Sequence, residues 1–105
     1  MTDSVRLREA LIQAVDQGLG IPGDSVRVAI YERLEISYHI KREEISEKLD
    51  RFHEALLDLL GVGAPVMERM IAKNLYCRLG LNFTKHEDWA LVDYVDHANA
   101  KRSGE

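Results

Sequence analysis

The sequence predicts an all-α fold, a compact single domain of about five helices packed mostly as an antiparallel bundle. Apolar residues recur at helical spacing, the few glycines and prolines cluster between such segments, and no run alternates like a strand. The chain has 105 residues, 46% hydrophobic and 30% charged, a balance that suits one globular domain. We expect this domain to cover residues 1–98, followed by a polar C-terminal tail over residues 99–105.

The first predicted helix covers residues 4–17. Its apolar residues form one stripe at helical spacing: Val5, Leu11, Ile12 and Val15. The loop from Gly18 to Gly23 then reads G-x-G-x-x-G, the pattern of dinucleotide-binding loops. That fingerprint needs a strand before it, and here a helix precedes it. We therefore interpret the glycines as a helix–helix connector.

The second predicted helix covers residues 24–39, and we expect it to be buried on more than one side. Its apolar set is Val26, Val28, Ile30, Tyr31, Leu34, Ile36 and Tyr38. Val28, Tyr31 and Tyr38 exceed what a single buried stripe requires. They leave one face as a candidate surface for self-association or for a partner.

The third predicted helix covers residues 42–60 and has the clearest apolar periodicity. Its stripe is Ile45, Leu49, Phe52, Leu56, Leu59 and Leu60. Its other faces are charged, and the spacing predicts the ion pairs Glu44–Lys48 and Glu47–Arg51.

The fourth predicted helix begins near Pro65 and ends at Gly80. Its expected core stripe is Met67, Met70, Ile71, Leu75 and Leu79. The fifth is expected to begin at Thr84, which has Glu87 three residues later as in a capping box. Trp89, Val92 and Val95 would lie on this last helix.

Cysteine content and hydropathy bear on the compartment. Cys77 is the only cysteine, so no internal disulfide can form. The first residues lack the basic and apolar regions of a signal peptide, and no run is long enough to cross a membrane. We expect a cytoplasmic protein with no membrane contact.

Candidate catalytic and metal-binding residues are scattered along the chain. His53 with Asp50, and His97 with Asp93, offer two ligands each, whereas zinc sites take three or four. Cys77 stands beside a cation, but a lone cysteine is more often a small buried side chain. We expect no catalytic residue, no metal and no cofactor, and we keep a small enzyme or metal protein as the third hypothesis.

The charge distribution is more informative. Residues 64–85 carry four basic residues and one acidic residue, within a chain of net charge −4. Arg69, Lys73 and Tyr76 follow the i, i+4, i+7 spacing of one helix face. Either these cations pair with the acidic third and fifth helices, or they form a docking face for an acidic partner or a phosphate. The net acidity disfavours nucleic acid, which usually binds basic domains.

Two stretches also resemble a known family. One runs from Ile40 to Ala64, with Phe52 and the Gly61 and Gly63 breaks, and the other runs from Leu75 through Gly80 to Val95. Together they resemble the small archaeal Nitrosopumilus output domain family, although Ser46 stands where that pattern has proline. The resemblance implies a binding module of a signal-transduction system and supplies no functional residues.

The sequence thus predicts a non-enzymatic interaction or signal-output module of an archaeal regulatory system. It would dock to a partner protein or to a second copy, and both remain open. Arg69, Lys73 and Tyr76 are the expected charged contact, and Tyr31 and Tyr38 the expected apolar contact. The alternative is a nucleic-acid-associated regulator that uses the basic fourth helix.

Overall fold

The computed structural model describes the backbone of residues 2–104 and the side chains of residues 5–101. Within this range the chain forms five α-helices, two 3₁₀ segments and no strand, which confirms the predicted all-α single domain. The elements are α1 (Thr2–Leu19), α2 (Asp24–Tyr38), a 3₁₀ segment (Arg42–Glu47), α3 (Leu49–Leu60), a second 3₁₀ segment (Gly61–Gly63), α4 (Ala64–Leu79) and α5 (Leu91–Gly104). No helix in the described part of the chain has the length and hydropathy needed to cross a membrane.

α4 is the central helix and packs against α1, α3 and α5, with its most extensive contact against α1. The two helices approach closely at Gly18, where an added Cβ would lie 2.6 Å from Cγ1 of Ile71. A glycine is therefore required at this crossing. The radius of gyration is 13.0 Å, the value expected for a compact domain of this length.

The predicted third helix is divided into the first 3₁₀ segment and α3. Lys48, with φ −130° and ψ 44°, interrupts the helical backbone between them. The Glu44–Lys48 pair forms, at 3.2 Å, but Glu47 pairs with Arg8 of α1 instead of with Arg51. Ser46 caps neither element, because its buried hydroxyl has no hydrogen-bond partner among the described residues.

α5 begins at Leu91, seven residues after the predicted start, so the predicted capping box is wrong. The helix instead starts where the Asp93 carboxylate accepts the backbone N–H of Ala90, at 2.8 Å. Trp89 consequently lies in the irregular segment before the helix. At its other end α5 continues through Gly104, into the predicted tail, while Met1 and Glu105 lie outside the described residues.

α2 is less buried than predicted. Only Ile30 and Leu34 of this helix are buried, so it presents a single face to the core. Val28 and Ile36 are exposed, at 52% and 73%. The broad apolar set of this helix therefore indicates exposed side chains rather than burial on several sides.

Candidate docking surface

Arg69 and Lys73 lie next to each other at the surface of α4, half-exposed and exposed respectively. Across the described residues neither side chain has a carboxylate within ion-pair distance. The predicted pairing of these cations with the acidic helices is therefore not found. Two positive charges remain on this face without compensation.

The surroundings of these two cations form a shallow groove with a volume of about 460 Å³. We call it the α4 groove, and it is lined by Val66, Arg69, Met70, Lys73, Phe83 and Lys85. Val66 and Met70 are 52% and 36% exposed, so apolar surface lies between the charges. Met70 was expected in the core stripe but lies on the outer side of the helix.

The other cations near α4 are engaged. Lys85 forms a surface ion pair with Glu87 at 3.3 Å. Arg78 donates to the amide oxygens of Asn74, Gln13 and Gln17, and so links α4 to α1. These contacts hold the Arg78 guanidinium away from the α4 groove. The uncompensated cations of the groove are therefore Arg69 and Lys73.

Tyr76 does not join Arg69 and Lys73 at the surface. It is 2% exposed, and its hydroxyl donates to the backbone oxygen of Tyr94 at 2.7 Å. Its ring meets those of Phe83 and Tyr94 edge to face. Burial, together with the neighbouring Tyr94, raises the pKa of Tyr76 to about 12. The residue belongs to the core, which corrects its predicted role as a contact residue.

The segment between α4 and α5 is held by the Tyr94 hydroxyl. This group accepts the backbone N–H of His86 at 2.8 Å and donates to the His86 carbonyl oxygen at 3.0 Å. His86 stacks on Trp89 with 3.7 Å between ring centroids, and Trp89 and Tyr94 meet edge to face with centroids 4.9 Å apart. Phe83, which lines the α4 groove, stacks on Tyr94 at 5.3 Å. One buried tyrosine therefore contacts or positions three half-buried rings.

Tyr31 engages a carboxylate of its own chain instead of a free apolar surface. Its hydroxyl donates to Asp16 of α1, which also accepts two bonds from the Arg42 guanidinium. Burial alone would raise the pKa of Asp16, but the hydrogen bonds from Arg42 and Tyr31 outweigh it and lower that pKa. Burial and the Asp16 carboxylate raise the pKa of Tyr31. The residue ties α1 to α2.

Tyr38 is half-buried, and its hydroxyl donates to the Asp58 carboxylate of α3 at 3.1 Å. Desolvation first and the bond to Asp58 second raise the pKa of Tyr38. Tyr31 and Tyr38 therefore bond to different helices, and the predicted apolar contact made by the two together is not assembled.

Glu68 is a buried carboxylate that sequence reasoning missed. It is 2% exposed; one oxygen lies 2.6 Å from Nδ1 of His53, and the other accepts the backbone N–H of Leu91 at 2.9 Å. It therefore links α3, α4 and the first residue of α5. It is the only acidic residue among residues 64–85, which are otherwise basic where charged. That contrast is the sequence signal that could have identified Glu68.

The remaining candidates do not assemble a catalytic or metal site in the part of the chain that the structure describes. His53 bonds to Glu68, and His97 stacks on Tyr76 rather than facing a group of ligands. Among the described residues, no three histidine, cysteine or acidic side chains group as a metal site would require. In the glycine pattern at 18–23, Gly18 lies in the last turn of α1 and residues 20–23 connect α1 to α2. Cys77 is exposed, so it is not the small buried side chain that the sequence favoured.

No protein-family model, curated protein or solved structure matches this chain. The resemblance to an archaeal output domain therefore stays a prediction.

Proposed function

We propose that this chain is a non-enzymatic helical docking domain, an interaction or output module of an archaeal regulatory system. Its contact surface is the α4 groove, and its partner presents acidic side chains around an apolar anchor. Arg69 and Lys73 supply the charged contact, and Val66, Met70 and Phe83 replace the two tyrosines of α2 as the apolar contact.

The proposal is supported by one observation, the uncompensated positive charge of Arg69 and Lys73. Both cations stand beside exposed apolar side chains, and no carboxylate of the described chain neutralises them. Complementary charge guides a partner to a surface and sets its orientation, while apolar contact adds affinity. A groove that combines the two supports recognition of an acidic, amphipathic protein segment.

The test is selection of peptides from a random displayed library on the wild-type domain. We expect enriched sequences with several acidic residues around an aliphatic or aromatic anchor. Binding of these peptides should fall by roughly tenfold or more with R69E/K73E, because two attractive contacts become repulsive.

The matched control is R6E/K101E, which changes the net charge equally at two exposed cations outside the groove. It should retain binding, and every variant should keep the helical circular-dichroism signal. Selected peptides that bind the two double variants equally would refute the proposal.

A nucleic-acid-associated regulator is the second candidate. Phe83 lies among the cations Arg69, Lys73 and Lys85, and a ring beside a basic groove is how single strands are commonly bound. This function predicts binding of a single-stranded oligonucleotide that weakens steeply as salt rises, because phosphate contacts release counterions. An oligonucleotide titration that shows no binding at low salt would exclude it.

A further inference from the structure

The chain carries, beside the α4 groove, a surface with the properties that the groove requires of an occupant. We call it the acidic turn (residues 87–89). Glu87 and Asp88 are exposed, with the Glu87 side chain at 82%, and Trp89 is half-buried beside them. Residues 86–105 have five acidic residues against two basic ones. Two carboxylates and an aromatic anchor are thus already present in this sequence.

The groove and the acidic turn share a border. Lys85 of the groove pairs with Glu87 of the turn at 3.3 Å. Phe83 of the groove and Trp89 of the turn both pack on Tyr94, with ring centroids 5.3 Å and 4.9 Å from it. One buried tyrosine therefore contacts an aromatic ring from each of the two surfaces.

We propose that the occupant of the α4 groove is a second copy of this chain, in a reciprocal dimer. The groove of each copy receives the acidic turn of the other, about a twofold axis near Lys85 and Glu87. Adjacent surfaces of opposite charge are suited to this symmetry, because one rotation brings both complementary contacts together. The inference rests on the proposed function and names the partner of the same groove.

The residue types on the two surfaces fit such an interface. Methionine, aromatic residues and arginine are enriched at protein interfaces, and tryptophan is a frequent anchor. Here Met70, Phe83 and Arg69 line the groove, and Trp89 stands in the acidic turn. The ion pairs of this interface would lie at its solvent-exposed edge and would weaken as salt rises. They would join Arg69 and Lys73 to Glu87 and Asp88.

The test is sedimentation velocity of the untagged full chain over a range of concentrations, at low and at high salt. We expect a reversible dimer that weakens as salt rises. R69E/K73E and E87K/D88K should each lower the association constant by roughly tenfold or more, because like charges then face each other. R6E/K101E is the control and should dimerise as the wild type does.

An equimolar mixture of R69E/K73E and E87K/D88K gives the sharpest result. In the mixed pair both groove–turn contacts join opposite charges, one as in the wild type and one with the charges exchanged. A heterodimer should therefore form where each variant alone stays monomeric. Trp89 is the only tryptophan, so its fluorescence should change on association and should follow the sedimentation result.

Two outcomes would overturn the dimer. One is a wild-type chain that stays monomeric at the highest concentration, and the other is a dimer that both charge reversals leave intact. If the monomeric chain still selects acidic peptides through Arg69 and Lys73, only this inference fails. If it selects none, the proposed function fails as well.

Discussion

The two sides of α4 differ in how completely their polar groups are satisfied. On the inner side Glu68 and Tyr76 are 2% exposed, and each makes hydrogen bonds to α3 or α5. On the outer side Arg69 and Lys73 have no ion-pair partner in the described chain, and Val66 is 52% exposed. Both sides belong to one helix, but only on the inner side do other described elements of the chain supply partners for these polar groups.

This difference separates stability from binding. A buried polar group that loses its partner is costly, whereas an exposed cation contributes little to folding. Substitutions on the inner side should therefore change the free energy of unfolding, and those on the outer side should change association. Four variants, taken from the largest expected effect to the smallest, test that separation.

Glu68→Ala should have the largest effect, a loss of about 3 kcal/mol in the free energy of unfolding. It removes a buried carboxylate and leaves the Leu91 N–H and the His53 ring without their acceptor. Urea denaturation followed by circular dichroism measures the loss. The control is Glu54→Ala on the exposed part of α3, expected to change stability by less than about 0.5 kcal/mol. Equal effects of the two variants would contradict the role of the inner side.

Gly18→Ala should destabilise the domain by about 1–2 kcal/mol. The new methyl group would stand 2.6 Å from Ile71 Cγ1, and the overlap outweighs the helix propensity gained. Gly63→Ala is the matched control, because the nearest atom to its Cβ is 3.9 Å away. Thermal melts of the two variants measure the difference. A Gly18 variant as stable as the Gly63 variant would mean that α1 and α4 can separate without cost.

Tyr76→Phe should cost about 1 kcal/mol, because it removes one buried hydrogen bond and keeps the ring. The Tyr38 hydroxyl makes its hydrogen bond at the surface, so Tyr38→Phe should lower the free energy of unfolding by less than about 0.5 kcal/mol. Both variants should retain wild-type self-association in sedimentation. If Tyr76→Phe abolished association while remaining folded, the residue would be a contact residue after all.

R69A/K73A should have the smallest effect on folding, within about 0.5 kcal/mol of wild type in urea denaturation. Neither cation has an internal ion-pair partner to lose among the described residues. The same variant should weaken dimerisation, so that stability and association change independently. A large loss of stability would mean that these cations contribute to folding as the inner side does, and would contradict the separation of stability from binding.

The sequence was sufficient for the number and order of the helices but not for the boundary between the two sides of α4. Arg69, Lys73 and Tyr76 share a broad face, yet three residues along a helix turn Tyr76 about 60° away from Lys73. That rotation carries its ring into the core, against Phe83 and Tyr94. Spacing predicts which side chains are neighbours, whereas exposure depends on where the other helices pack.

The start of α5 shows the same limit. Thr84 and Glu87 have the spacing of a cap, but the helix begins at Leu91. Its position is set by Glu68, which binds the Leu91 N–H, and by Tyr94, which holds His86 at both backbone atoms. These contacts join residues that are distant in the chain, and no local pattern encodes them. For the same reason the sequence did not indicate that Phe83 would complete the groove.

The crossing of Gly18 and Ile71 also bears on how the chain is made. α1 has its main packing partner in α4, so the ribosome must synthesise everything from Leu19 to Ala64 before that partner starts to appear. At common elongation rates this takes roughly 2–9 seconds. Throughout that interval the apolar stripe of α1, which includes Leu11 and Val15, lacks its main packing partner. A nascent chain stalled before α4 should therefore be far more sensitive to protease than one stalled after it.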